Sequence, residues 1–292
     1  MFQRFRASWA LTKTCFNVLK QDKELMLFPV LSSLLTVLVA CSFIVPGYFA
    51  ALKMQDFSAG QIKLFAIPAT FLFYFATTAV VLFCNTALLS CAKKRFEGGD
   101  PTFMDGIRAG FSNLKPILAW AALGGVVGVI LKQIEENLGF LGTIITRFLG
   151  GAWAVITYFA LPVMIFEGVG PRDAITRSKA IISKTWGEAL GAYLGLSALT
   201  SIFCWLTLLV LIGCTTASIM MSTAYPMGIA LAVILVSGIA VAIVSSCLAH
   251  IFQAALYVYA TTNELPSGFE PEVMKSAFMP KQGRKWVLVK AS

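Results

Sequence analysis

The chain has 292 residues, of which 58% are hydrophobic and only 13% are charged, and its mean hydropathy is +0.80. Soluble domains carry about 25% charged residues, so this composition excludes an ordinary soluble protein. The formal net charge of +9 does not indicate nucleic-acid binding, because no soluble segment is long enough to present a basic patch.

Long uncharged stretches define the predicted elements. Asp, Glu, Lys and Arg are missing from 25–52, 64–92, 116–131, 148–166 and 189–263. A bilayer core about 30 Å thick needs about 20 apolar helical residues, so 25–52, 64–92 and 148–166 fit one span each. The stretch 116–131 is short, but Lys115 and Lys132 can snorkel from its ends, so it counts as a further span. The last stretch is long enough for two spans, which divide within 213–226. The sequence therefore predicts an all-α membrane protein with six transmembrane helices.

Basic residues are distributed unevenly between the segments that join these stretches. Of the 23 Lys and Arg residues, 19 lie in 1–24, 93–115, 172–184 and the tail after 264. The alternate segments hold the remaining four. Because cytoplasmic loops of membrane proteins retain Lys and Arg, this distribution predicts that both termini lie in the cytoplasm.

A basic segment with a helical pattern precedes the first span. Four aromatic residues fall within one narrow arc of a helix: Phe2, Phe5, Trp9 and Phe16. Basic helices with aromatic anchors lie in the headgroup plane, held by their apolar face and by anionic lipid. We therefore expect an interfacial helix here, followed by the first pair of spans, in a unit that covers 1–92.

The pattern F-E-G-x-x-P occurs after the second span, at 96–101, and again after the fourth, at 166–171. Each copy precedes an amphipathic helical pattern, which includes Ile107 and Phe111 in the first case and Ile175 and Ile182 in the second. The pattern predicts two further units, 93–166 and 167–263. Each is an amphipathic helix followed by a hairpin of spans, and the three hairpins are expected to be related by rotation about the membrane normal.

A tetrapeptide of basic, small, small and aromatic residues supports this repeat. It occurs at 6–9 and 108–111, and a third copy at 275–278 predicts a short amphipathic segment in the cytoplasmic tail 264–292. The segment 177–180 keeps only the basic and small positions. The alternative is that all four are ordinary loops with helical turns. The candidate lipid-headgroup residues are Arg6, Trp9, Arg108, Arg177, Lys184, Trp186 and Lys275.

Glycines and a proline mark special positions within the spans. Small residues four apart allow close helix packing, and this spacing occurs at Gly124 and Gly128, and at Gly187, Gly191 and Gly195. We expect contacts within the chain at these glycines, with self-association as the alternative. Pro162 is expected to kink the fourth span.

The residues give no support for catalysis. No predicted span contains Asp, Glu, Lys or Arg, and the one histidine, His250, has no acidic or cysteine neighbour that would complete a triad or a metal site. The seven cysteines form no Cys-x-x-Cys pair. We therefore predict no catalytic residue, no cofactor, no metal site and no enzymatic activity.

The segments from Ala152-Trp153 to Pro162, Leu27-Phe-Pro29 and Lys184-Thr-Trp-Gly-Glu188 resemble a prokaryotic family of multi-pass membrane proteins that is classified only as a domain of unknown function. The resemblance implies location in the prokaryotic plasma membrane and supplies no activity. The plan of hairpins and amphipathic helices is also similar to the membrane domains of some bacterial glycerophosphodiester phosphodiesterases, although no phosphodiesterase residues are present.

Three classes of function remain open. The favoured one is a non-enzymatic protein that organises or senses the cytoplasmic leaflet, or that scaffolds other membrane proteins. Its expected partners are anionic lipids and either a membrane protein or a second copy of the chain. The alternative is a transporter for a lipid-like or apolar solute, which needs no charge within the membrane. An intramembrane enzyme comes third, because clustered catalytic side chains are missing.

Overall fold

The computed structural model describes residues 2–53, 59–182 and 225–262, together with part of 205–216, and every element within them is helical. The helices are α1 (Phe2–Gln21), α2 (Leu27–Lys53), α3 (Ala59–Phe96), α4 (Phe103–Ser112), α5 (Leu114–Ile156), α6 (Ala160–Glu167), α7 (helical over 171–182) and α8 (Tyr225–Thr262). A 3₁₀ turn, Lys23–Met26, precedes α2. The chain forms two compact units, 22–182 and 1–21 with 183–292.

Four segments of the described chain are long and apolar enough to cross a membrane: Lys23–Phe49, Phe65–Phe96, Leu114–Glu167 and Ala230–Thr262. The first two pack as an antiparallel pair, in which the rings of Phe43 and Phe73 meet edge to face with centroids 5.6 Å apart. Their apolar character and length agree with the predicted helical membrane class.

The third of these segments is folded back on itself. Gly139 has φ 54° and ψ −127°, which breaks α5 into the limbs 114–138 and 140–156. The stacked rings of Trp120 and Trp153, 6.2 Å apart, join the two limbs. A Cβ on Gly142 would lie 2.6 Å from the carbonyl oxygen of Ile134, so only glycine allows the limbs to meet so closely beside the break.

A second break separates α5 from α6, at residues 157–159. Pro162 explains it, because a proline ring clashes with the carbonyl of the residue four positions earlier, here Tyr158. The kink expected at Pro162 is therefore present. Ser178 on α7 forms hydrogen bonds with the backbone at this break. Its hydroxyl accepts one from the Phe159 N–H at 3.1 Å and donates one to the Ile156 carbonyl at 2.6 Å.

The core of the unit 22–182 lies at one end of its helices. Ala87, Leu88, Leu89 and Ala92, near the end of α3, are at most 1% exposed. Buried side chains from the other helices of this unit include Phe28, Ile117, Phe159, Val163 and Ala174. Towards the opposite end, large apolar side chains such as Ile44, Phe65 and Phe148 face outward, as they do on surfaces that contact acyl chains.

The other unit contains α1 and α8, which pack against each other. Cys15, Val18 and Leu19 are buried on α1, at the i, i+3, i+4 spacing of one helix face. On α8, His250 Nδ1 and Gln253 Oε1 are 3.1 Å apart.

Candidate functional site

Charged side chains from three segments meet where α3 ends. We call this group the polar clasp, and it consists of Asp22, Glu24, Lys94, Arg95, Asp100 and Asp105. The Arg95 guanidinium donates to both carboxylate oxygens of Asp22, with Nε 2.5 Å from Oδ2, and also to Asp100 at 2.6 Å. The Asp22 side chain is nearly fully buried, and a buried carboxylate needs such a partner. This pair therefore joins the start of α2 to the end of α3.

The rest of the clasp holds the first turn of α4. Thr102 and Asp105 form a capping box, in which the Asp105 N–H donates to Thr102 Oγ1 and the Thr102 N–H donates to Asp105 Oδ2. The Phe103 N–H donates to Glu24 Oε2 at 2.6 Å. Two of the N–H groups that every helix start leaves unpaired are thus used by Asp105 and Glu24.

Asp105 also receives a hydrogen bond from Lys94 Nζ at 2.8 Å. The Lys94 ammonium, followed by the hydrogen bonds from Thr102, holds the pKa of the Asp105 carboxyl well below its ordinary value. A charged carboxylate is also favoured at this position by the helix dipole. Asp105 therefore remains ionised at neutral pH and serves as a fixed anchor for α4.

The two F-E-G sequences form similar turns. Gly98 and Gly168 have φ of 83° and 68°, the left-handed conformation in which glycine commonly follows the end of a helix. The glutamate before each glycine is paired, Glu97 with Lys93 at 3.8 Å and Glu167 with Arg177. The repeated pattern thus marks the ends of α3 and α6.

The face of α4 that packs on α3 and on Phe28 of α2 contains two glycines, which the hydrophobic periodicity did not single out. A Cβ on Gly106 would lie 2.3 Å from the Phe28 ring, and one on Gly110 would lie 2.7 Å from the Phe83 ring. Phe111 is 64% exposed and meets Phe83 by an edge contact of 5.1 Å. The spacing that drew attention to Gly124 and Gly128 also occurs at 106 and 110, and it could have identified this face.

The corresponding face of α7 has the same construction. Ala174, Ser178 and Ile182 are its buried residues. Aligned on the first residues of the helices, Gly106 and Gly110 of α4 therefore correspond to Ala174 and Ser178 of α7. The predicted alignment of Arg108 with Arg177 is off by one position, because it followed the basic residue and not the buried small residues.

The candidate headgroup residues differ in their surroundings. Arg108 is exposed on α4, whereas Arg177 on α7 is paired with Glu167. Arg6 and Trp9 belong to α1, but their side chains lie outside the described part of the structure. Lys184, Trp186 and Lys275 lie outside the described residues altogether.

The candidate packing glycines fall into two groups. Gly124 and Gly128 face α3, where a Cβ would lie 3.4 Å from Thr78 and 3.0 Å from Tyr74, respectively. These two glycines therefore contact a helix of the same chain. Gly187, Gly191 and Gly195 lie outside the described residues.

Within the residues that the structure describes, no group of three or more His, Cys, Asp or Glu side chains is arranged to hold a metal ion. The carboxylates of the clasp bond to basic side chains or to backbone N–H groups. The clasp therefore links helices to one another, and the exposed face of α4 beside it is the candidate for contact with lipid.

Long apolar helices, with a charged cluster at the end of one of them, are the features of a helical membrane protein. The chain belongs to a family of unknown function, DUF6159, which matches residues 64–269 and thus more than half of the chain. No curated protein and no solved structure matches it. Membership in a family without an assigned activity agrees with the expectation from sequence. The likeness to the membrane domains of phosphodiesterases stays a prediction.

Proposed function

We propose that the chain is a six-span protein of the plasma membrane with both termini in the cytoplasm. The α2–α3 pair, the two limbs of α5 with α6, and α8 would supply five of the spans, and the remaining one would fall within 189–212, which lies largely outside the described residues. The concentration of basic residues in alternate segments supports this orientation. The similar turns at Gly98 and Gly168 support the internal repeat.

We further propose a non-enzymatic role, in which the protein organises or senses the cytoplasmic leaflet or scaffolds membrane partners. The observation that carries this proposal is the position of the core. In the orientation above, the buried end of α3, the polar clasp and α4 all lie at the cytoplasmic surface, and the outward apolar side chains lie in the bilayer. A surface that the spans hold in a fixed position is better suited to binding a partner than to letting a solute pass through the membrane.

The proposed partners are anionic lipids of the cytoplasmic leaflet, and either another membrane protein or a second copy of this chain. Juxtamembrane basic residues attract anionic lipid by about 1 kcal/mol each. Arg108 and Lys115 are exposed basic residues that are placed for such contacts.

Reporter fusions and a transport assay test this proposal together. Fusions after residues 102, 175 and 280 should report a cytoplasmic location, and fusions after 58, 139 and 220 should report the opposite side. Purified protein in vesicles should not accelerate lipid flip-flop above protein-free vesicles. A cytoplasmic signal at 220 would contradict the six-span arrangement, and accelerated flip-flop would favour the transporter alternative.

A further inference from the structure

One face of α4 is exposed although it is largely apolar. Met104, Arg108 and Phe111 follow one another at i, i+4 and i+7, which places them on one side of the helix. Met104 is 53% exposed, and Phe111 is 64% exposed. We call these three residues the outer face of α4. It lies opposite Gly106 and Gly110, and only the edge of Phe111 touches α3, at Phe83.

The outer face is held in a fixed position. The glycines allow α4 to approach Phe28 and Phe83 closely, and the clasp bonds the first turn of α4 to Lys94 and Glu24. The backbone that carries the outer face is therefore already ordered before a partner binds, and only the side chains lose freedom, which lowers the entropic cost of binding.

The positive charge beside this face is not neutralised within the described part of the chain. Arg108 and Lys115 form no ion pair there. The nearest carboxylate in sequence, Asp105, is already bonded to Lys94. The apolar face thus carries unpaired positive charge, which complements an anionic group.

Exposed apolar side chains also continue along the chain from the outer face into α5. Leu114 and Leu118 are each 38% exposed, and Val126 and Ile130 further along α5 are exposed as well. These side chains lie on a helix long and apolar enough to enter a bilayer. Exposed apolar side chains thus follow the outer face along the chain into a helix that is able to contact acyl chains.

From these observations we propose that the outer face of α4 binds an anionic phospholipid, with Met104 and Phe111 among the upper acyl carbons and Arg108 on the phosphate. Lys115, at the start of α5, provides a second positive charge. This inference rests on the proposed function, which places α4 at the cytoplasmic leaflet. Charge complementarity selects anionic over zwitterionic lipid.

The outer side of α7 provides an internal contrast. Its exposed residues include Arg172, Thr176 and Lys179, so it is basic but not apolar. Over 171–182, this side therefore offers no counterpart of Met104 and Phe111 that would enter the acyl region. We therefore assign lipid binding to α4 and not to α7, although both helices follow an F-E-G turn.

Photo-crosslinking of the full-length protein tests the apolar part of the site. A benzophenone amino acid at position 111 should form lipid adducts in the membrane, whereas the same group at position 176 on α7 should form few. Mass spectrometry of the tryptic peptides identifies the adducts. Equal lipid labelling at both positions, or protein adducts alone at 111, would overturn the assignment.

Lipid selectivity tests the charged part. The protein is purified from vesicles of phosphatidylethanolamine with phosphatidylglycerol, and the retained lipids are measured by mass spectrometry. Arg108→Gln with Lys115→Gln should lower the ratio of retained phosphatidylglycerol to phosphatidylethanolamine by about fivefold for each charge removed. The matched pair Arg172→Gln with Lys179→Gln removes the same charge from α7 and should leave the ratio unchanged. An equal loss in both pairs would refute a specific site.

The two proposals fail in different ways. A reporter after residue 102 on the non-cytoplasmic side would overturn the proposed orientation. A cytoplasmic reporter there, combined with an unchanged lipid ratio in the Arg108→Gln and Lys115→Gln variant, would overturn only the lipid site.

Discussion

Gly106→Ala should push α4 away from Phe28 of α2 and Cys91 of α3, because the space that a methyl group needs is already occupied. The added Cβ would lie 2.3 Å from Phe28 Cζ and 3.0 Å from Cys91 Sγ. Carbon atoms pack at about 3.5–4.0 Å, so one side must move by more than 1 Å, as an order of magnitude. Phe28 is 1% exposed and stacked on Phe103, so its ring has little room to rotate. Overpacking of this kind lowers the free energy of unfolding by about 1–3 kcal/mol.

Cys91 provides the assay, since it lies in the same contact and is buried. We expect Gly106→Ala to lower the midpoint of thermal unfolding in detergent and to increase the maleimide labelling of Cys91, measured on its tryptic peptide. Gly151→Ala is the matched control, because no atom lies within 4 Å of a Cβ at that helical position. If the two variants have the same midpoint and the same Cys91 labelling, the close packing of α4 on Phe28 and Cys91 is not present in the protein.

Three further perturbations address the clasp and the break before α6. The pKa of Asp105 in the folded protein lies below its ordinary value of 3.8. Its contribution to the free energy of unfolding is therefore complete above pH 3.8 and is lost as the pH falls further. Asp105→Asn should flatten this acid dependence of the free energy of unfolding. Arg95→Gln should lower the free energy of unfolding by about 3–5 kcal/mol, because it leaves the buried Asp22 carboxylate without its ion-pair partner. Lys93→Gln, at an exposed pair, should change it by at most about 1 kcal/mol. Equal effects of the two variants would contradict the burial of Asp22. Ser178→Ala should lower the free energy of unfolding by about 1–3 kcal/mol and accelerate hydrogen exchange of the Phe159 amide. Unaltered exchange of that amide would show that the Ser178 hydroxyl does not stabilise the break between α5 and α6.

Local chemistry explains which features could be predicted from the sequence. A glycine after a helix end and a proline within a helix act through their own backbone, so the turns at Gly98 and Gly168 and the kink before Pro162 follow from a few neighbouring residues. The apolar stretches are equally local, and they identified the helical membrane class.

Contacts between distant segments could not be read in this way. Asp22 and Arg95 are 73 positions apart, and nothing in either neighbourhood indicates the other as a partner. The packing face of α4 was missed because hydrophobic periodicity gives weight to large residues, whereas Gly106 and Gly110 are buried by virtue of having no side chain. The alignment of the α4 and α7 sequences therefore followed their basic residues, whereas their buried small residues align one position away.

The break at Gly139 has a consequence for how the protein is made. A single residue joins the two limbs of α5, so the folded hairpin has no loop between them. In the proposed orientation, formation of this hairpin places Lys132, Glu135 and Glu136 on the far side of the membrane. Lys132 and Glu136 lie 3.8 Å apart, which partly offsets the charge that crosses. We expect the hairpin to behave as one unit of biosynthesis, whose insertion is all or none.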